Sequence, residues 1–239
     1  FITPLGNSCR KKFCEELQEI EYGIGAIVLP NRIVMDDVRK KYANVEAIGI
    51  DTLATKILNM NGYVTFHQIN RRSQELIVED FLHTLAEQKQ LDYFGELIEK
   101  HGFIKAMTSL VGQLSRSGST QQEIVNVLLD WGRSGNLGQK DKEVALLYQF
   151  YRQYLKNKQW FDLEGKYRLA LYVLQDEQAK LPWQRLYFCD FYSYDALQLE
   201  LIKALSKRCK VQIGLCYEKN LEGTEREKLF AATKATYNE

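Results

Sequence analysis

Apolar positions along this chain fall into two rhythms. Ala26-Ile-Val-Leu29, closed by Pro30-Asn31, is a short unbroken apolar run, the pattern of a strand buried on both faces of a parallel sheet. Val45–Ile50, Arg185–Tyr192 and Lys210–Leu215 give further strand signals. The segments between them are spaced for helices. In Lys12–Tyr22, Phe13, Leu17 and Ile20 share one side and Glu15, Glu16 and Glu19 the other, with Gly23 and Gly25 ending the run. Asp36–Tyr42, Asp51–Leu58 and Asp195–Leu205 follow suit, the last with Asp195 as its N-cap. Strands alternating with helices predict an α/β fold on a parallel sheet with right-handed crossovers.

From about Arg71 to Gln178 the strand signal stops. Helices are predicted over Gln74–Lys89, Asp92–Lys100, Phe103–Leu114, Gln121–Trp131, Glu143–Lys156 and Asp162–Leu174, with turns at 115–119 and 132–138. Thr120-x-x-Glu123 is a capping box ahead of Ile124, Val127 and Leu128. Thr224–Tyr237 predicts a last helix. The expected organisation is a discontinuous α/β core, 1–70 and 179–239, interrupted by an all-helical insertion over 71–178.

Composition narrows the function classes. Hydrophobic residues make up 45% of the 239 and charged residues 26%, enough to bury a sizeable core. A net charge of +1 gives no global field, so a nucleic-acid surface would have to be local. Small basic clusters exist at Arg10–Lys12, Arg39–Lys41, Arg71-Arg72 and Lys207–Lys210. The five cysteines contain no CxxC pair, and His67, His83 and His101 are scattered, which argues against a disulfide framework or a structural zinc. No run of about 20 apolar residues and no signal-peptide pattern appears, so the expected compartment is the cytoplasm, with no membrane partner. The chain opens without methionine and reaches a loop within four residues, so native residues are expected ahead of it.

The opening stretch carries the strongest chemical suggestion. Phe1–Phe13 reads as strand, loop, then a helix opening near Arg10. A helix N-terminus offers unpaired N–H groups and partial positive charge to a phosphate. The working device is GxxxxGK[ST], in which lysine reaches the β/γ-phosphates and the hydroxyl holds magnesium. With Pro4 in the first glycine's place, Cys9, Arg10 and Lys11 replace Gly, Lys and Ser/Thr. With Gly6 there, Lys11, Lys12 and Phe13 do. Neither register keeps the second glycine or the hydroxyl. The candidate phosphate contacts are Gly6, Ser8, Arg10, Lys11 and Lys12. Asp190, near the carboxyl end of an apolar strand, is a candidate magnesium ligand or a simple strand-end cap. Tyr148, Phe150, Tyr151 and Tyr154 have the spacing of a core helix or, alternatively, a base-stacking surface. No nucleophile–base–orienter set and no HExxH motif is present, so no catalytic or metal-ligating residue is assigned.

In this order the segments resemble the N-terminal, helicase-like half of AddB/RexB proteins, components of bacterial ATP-dependent helicase–nucleases, built like a superfamily 1, UvrD-like helicase domain. Ile27-Val-Leu-Pro-Asn-Arg32 resembles a strand and "VP" turn that faces DNA in that superfamily. Ala47–Leu58 resembles "(S/T)xxRLAxxxL", Leu147–Leu155 with Trp160-Phe-Asp162 resembles "iYxxYxxxL…yxD", Leu186–Phe191 takes the place of "xxVDGF", and Glu225–Tyr237 resembles "ELFxxTxxxY". Two departures stand out: the phosphate motif is lost, and the aspartate of "VDGF" is displaced to Asp190 with Cys189 in its place.

The resemblance implies a P-loop-helicase-like parallel sheet with a large helical insertion, serving as a non-motor domain in DNA break processing and recombination. It implies Asn31, Arg32 and Thr52 as DNA contacts, DNA and an AddA/RexA-type subunit as partners, and ATP and Mg as cofactors only if the degenerate site still functions. The PD-(D/E)xK nuclease residues and iron–sulfur cysteines of the family have no counterpart here. Two competing classes are a divergent working ATPase using Lys12 and Asp190, and a protein-interaction scaffold that binds neither ligand. The helicase-like reading requires the opening segment and the Asp190 strand to lie close together in one sheet.

Overall fold

The computed structural model describes residues 2–3, 9–65, 67–130, 135–216 and 231–238. In chain order the elements are β1 (Ile2–Thr3), α1 (Arg10–Gln18), β2 (Gly25–Val28), α2 (Arg32–Lys41), β3 (Glu46–Ile48), α3 (Ile50–Met60), β4 (His67–Gln68), α4 (Arg71–Glu87), α5 (His101–Ser115), α6 (Gln121–Asp130), α7 (Gly135–Lys158), β5 (Trp160–Phe161), α8 (Leu163–Leu174), β6 (Arg185–Phe188), α9 (Ala196–Ser206), β7 (Lys210–Ile213), β8 (Leu215–Cys216) and α10 (Ala231–Asn238). The fold is α/β. The chain divides into two compact units, Phe1–Val64 with Tyr167–Glu239, and Thr65–Lys166, so the division falls inside α8.

The first unit is built on a four-stranded parallel sheet in the order β3-β2-β6-β7. Val28 pairs with Ile48 on one side and Phe188 on the other, and Phe188 with Ile213, so the carboxyl ends of all four strands finish together. The apolar runs explain the sheet: Ala26, Ile27, Val28, Leu186, Tyr187 and Phe188 are almost wholly buried, as strands covered on both faces must be. Helix α1 lies close over β2 because residue 25 is glycine. A Cβ there would come within 2.5 Å of Leu17 Cδ2 and 2.8 Å of Ile20 Cδ1. The buried Phe13, Cys14 and Leu17 of α1 join Ile27, Leu29, Tyr187 and Cys189 in one apolar cluster.

The opening strand contradicts the requirement that it share a sheet with the Asp190 strand: the two lie in different sheets, and it is Arg10, after the opening loop, that comes within 3.2 Å of Asp190. β1 pairs with β8 in a two-residue parallel ladder of its own, Ile2 opposite Leu215, and has no place beside β6. The reason lies at Gly214. Its N–H still bonds to Phe188 O (2.7 Å), but β7 ends at Ile213, and β1 pairs only with the residues past that break. Several boundaries also move. α2 begins at Arg32, four residues before the predicted helix, because Asn31 Oδ1 accepts from Val34 N (3.1 Å). α1 ends at Gln18, and β6 ends at Phe188 where the pattern runs to Tyr192.

In the second unit α4, α5, α6 and α7 pack around Val78, Leu82, Ile104, Val111, Ile124, Leu147, Tyr148 and Tyr151. The predicted capping box forms: Thr120 N donates to Glu123 Oε2 (2.7 Å) and Glu123 N to Thr120 Oγ1 (3.3 Å). Of the four clustered aromatics, Tyr148 and Tyr151 are buried and Phe150 is exposed. Tyr151 donates to Asp162 Oδ2 (3.0 Å), and Asp162 Oδ1 accepts from Gly165 N (2.7 Å), capping α8. Burial, then Asp162, raises the Tyr151 pKa above the phenol range. The tyrosine and aspartate of the "iYxxYxxxL…yxD" pattern are thus one buried hydrogen-bonded pair.

Asp92–Lys100 is not a full helix. It contains a single 3-10 turn, Gly95–Leu97. The amides of Asp92, Tyr93 and Phe94 donate instead to the carboxylate of Glu143 on α7, at 2.8, 2.7 and 2.9 Å. The Glu143 carboxylate thus caps the amides that open the segment, which have no acceptor within a helix.

Glu143 is 1% exposed, so removing it would strand three amides away from water. Glu143→Ala is expected to cost about 3 kcal/mol and to lower the thermal midpoint by roughly 5–10 °C. Glu143→Gln, which keeps one acceptor, should fall between the two; calorimetry of the three proteins checks the order.

Candidate functional site

Open parallel sheets bind ligands at the edge where the strands' carboxyl ends emerge. Here that edge gathers the start of α1, residues 29–31 after β2, Gly49 after β3 and residues 189–195 after β6. Arg10, the first residue of α1, brings the opening helix to it. Its Nε lies 3.2 Å from Asp190 Oδ2, and its Nη1 lies 3.6 Å from Asp37 Oδ2 on α2. One guanidinium therefore ties α1 to the β6 end and to α2. The Arg10 and Asp190 side chains are only 30% and 22% exposed, so the contact is worth on the order of 1–2 kcal/mol.

Asp190 has φ +63°, in the left-handed region. Glycine adopts that conformation freely, and aspartate is among the few other residues that do. In "VDGF" the glycine stands at this position. Asp190 thus takes the glycine's backbone conformation as well as carrying the displaced carboxylate.

Cys9 stands one residue before α1, and its sulfur lies 3.1 Å from the sulfur of Cys189. The Cys189 thiol also reaches Asp190 Oδ1 at 3.4 Å. The hydrogen bond shared with Cys189, in which either sulfur can donate, pulls the Cys9 thiol below its ordinary range, whereas burial pushes Cys14 up to about 11. Tyr194 is buried next to this group. Its hydroxyl finds no hydrogen-bond partner among the described residues, and burial raises its pKa. Cys9 is held by a close approach from the other side as well. A Cβ on Gly214 would lie 1.8 Å from Cys9 Sγ and 3.2 Å from Phe13 Cε2.

The remaining sequence-predicted residues are spread along the edge. Gly6 and Ser8 lie outside the described residues. Lys11 and Lys12 lie on the exposed side of α1, 3.8 Å from Glu15 and 4.0 Å from Glu16. Asn31 caps α2, and Arg32 beside it is 86% exposed, 3.6 Å from Asp36. Thr52 lines a separate hollow of about 350 Å³ with Arg39, Glu46 and Lys56, along the outer strand β3. Neither Asn31 nor Arg32 lines that hollow.

Three features are not legible in the sequence pattern. Nothing in the spacing marks Asp37 as a partner of Arg10, or Ile33 and Tyr192, 83% and 84% exposed, as surface residues. The apolar run places Tyr192 in the strand, and the one signal against this is the polar Asp190 breaking that run. Among the described residues no three His, Cys, Asp or Glu side chains are grouped to hold a metal ion. No described helix is long and apolar enough to cross a membrane.

Gly214→Ala should destabilise the first unit by about 1–3 kcal/mol through overpacking against Cys9 and Phe13. Adding Cys9→Ala should recover part of that loss, since it removes the nearest atom. Chemical denaturation of the single and double variants checks the coupling.

The family described as "ADDB, N-terminal" matches residues 30–239. That span takes in Asn31, Arg32, Thr52 and Asp190 and leaves out Gly6, Ser8, Arg10, Lys11 and Lys12. A curated relative, the B-type subunit of the ATP-dependent helicase/deoxyribonuclease of Alkaliphilus metalliredigens (strain QYMF), is 23% identical over 234 residues, covering 93% of this chain. The chain spans about 20% of that relative's length. By its match over most of its length, this chain belongs to the AddB N-terminal domain family.

Proposed function

We propose that the chain is a non-motor, helicase-like domain of a DNA break-processing helicase–nuclease subunit, which binds or guides DNA and has a degenerate nucleotide site. It works in the cytoplasm beside an AddA/RexA-type partner subunit. The observation that carries the reading is the Arg10–Asp190 pair. A nucleotide-bound magnesium needs a carboxylate turned toward it, and here the available carboxylate is engaged by the chain's own guanidinium. Phosphate binding by Arg10 would require it to leave Asp190 and Asp37, so this reading assigns Arg10 a structural role first. Gly6, Ser8, Lys11 and Lys12 remain as residual phosphate contacts.

DNA recognition fits the start of α2 and the loop after β6. Arg32 extends into solvent at the edge, with the exposed Ile33 next to it and Tyr192 on the loop after β6, the neighbouring strand. An exposed cation for phosphates beside apolar surface for bases suits a nucleic-acid strand. Asn31 contributes by fixing the start of α2. Thr52 lines its own hollow and would meet DNA only along a path extending past β3.

Fluorescence anisotropy of labelled oligonucleotides with the full chain tests this. The logarithm of the affinity should fall linearly with log salt concentration. Arg32→Ala should flatten that slope by roughly one ion while leaving thermal stability unchanged. DNA binding that is absent, or insensitive to both salt and Arg32, would overturn the assignment and favour a protein-interaction scaffold.

A further inference from the structure

The two departures from the family pattern at this site meet each other. Cys9 stands where one register of the phosphate motif has its second glycine, and Cys189 stands where "VDGF" has its aspartate. They are 180 positions apart in sequence, and their sulfurs are 3.1 Å apart. Both are buried, Cys9 at 7% exposure and Cys189 at 0%, and both are reduced thiols. About 1 Å of further approach separates this contact from the ~2.05 Å of a disulfide bond.

We propose that Cys9 and Cys189 form an oxidative modification site, a dithiol that a small hydroperoxide converts to a disulfide joining the start of α1 to the end of β6. This inference goes beyond the DNA-guiding reading and does not depend on it. Cys9 reacts first, because it is the one with some exposure. Its sulfur attacks the hydroperoxide oxygen and the O–O bond breaks. The alcohol, or water when the reagent is hydrogen peroxide, leaves with the proton that Cys9 gave up, and Cys9 becomes a sulfenic acid. The Cys189 sulfur then attacks the Cys9 sulfur, the S–S bond forms as the S–O bond breaks, and hydroxide departs as water with the Cys189 proton. Two thiols have lost two electrons and two protons, and one hydroperoxide has been reduced.

The surroundings favour this pair over the other cysteines. Gly214 closes behind Cys9, so the sulfur has little room to turn away from Cys189. Cys209, just past the end of α9, directs its thiol to Leu205 O at 3.4 Å. The cross-link would hold residues 9 and 189 together and keep Arg10 against Asp190, which makes the edge rigid under oxidising conditions. A thiol reductant would release it by exchange.

Peptide mapping of the native full chain tests the proposal. The chain is treated with hydrogen peroxide, remaining thiols are alkylated, and the protein is digested with trypsin without reduction. Arg10, Lys11 and Lys12 are cleavage points that separate Cys9 from Cys14, and Lys203, Lys207 and Arg208 separate Cys189 from Cys209. The expected product is a linked Cys9–Cys189 peptide pair, lighter by two hydrogens than its separate parts and abolished by a thiol reductant. Cys209→Ser should leave its yield unchanged, and Cys9→Ser should remove it. A map in which Cys9 carries sulfinic or sulfonic acid with no linkage, or in which the main linkage uses Cys14 or Cys209, would overturn the proposal.

Discussion

The edge of the sheet depends on how one guanidinium is spent. Arg10 binds Asp190 at the end of β6 and Asp37 on α2, so three segments distant in sequence are held by a single cation. If Arg10 let go, two carboxylates would face the same space and the start of α1 would lose its tie. The adjacent sulfur contact and the close approach at Gly214 act on the same point of the chain. The start of the opening helix is therefore fixed by contacts to the chain itself, where a nucleotide-binding helix would keep its N-terminal groups for phosphate.

The same contacts bear on the non-motor role proposed for the domain. The strand order and the shared carboxyl edge are set by burial, and burial is maintained whether or not a nucleotide binds. The residues that would hold magnesium and phosphate have no such protection. In our reading their places have been taken by groups that satisfy one another, and the neighbouring surface, with Arg32 and Ile33 at the start of α2 and Tyr192 after β6 facing solvent, has been left for an external partner.

Much of the architecture is legible because it depends on local pattern. The apolar runs mark β2 and β6 as buried segments, although the second overruns its strand, and the capping residues Asp195 and Thr120 mark their helices correctly. What cannot be read is non-local. Residues 92–94 have helical spacing, yet Glu143 takes their amides from about 50 positions away. The two-residue strands β4 and β5 are too short to leave a periodic signal. At the site, the sequence pattern puts Arg10 and Asp190 in one pocket but gives them separate ligands, because pairing across 180 positions is invisible to spacing. Cys9 and Cys189 each stand out as substitutions, and only the fold shows that they touch.

The most direct test of the central claim is equilibrium binding of ATP with magnesium to the full chain, by calorimetry, for the natural sequence and for Lys12→Ala. A site closed by its own arginine and carboxylate predicts no magnesium-dependent binding in either protein. Magnesium-dependent binding by the natural chain that disappears in Lys12→Ala would contradict the account and identify a working nucleotide site.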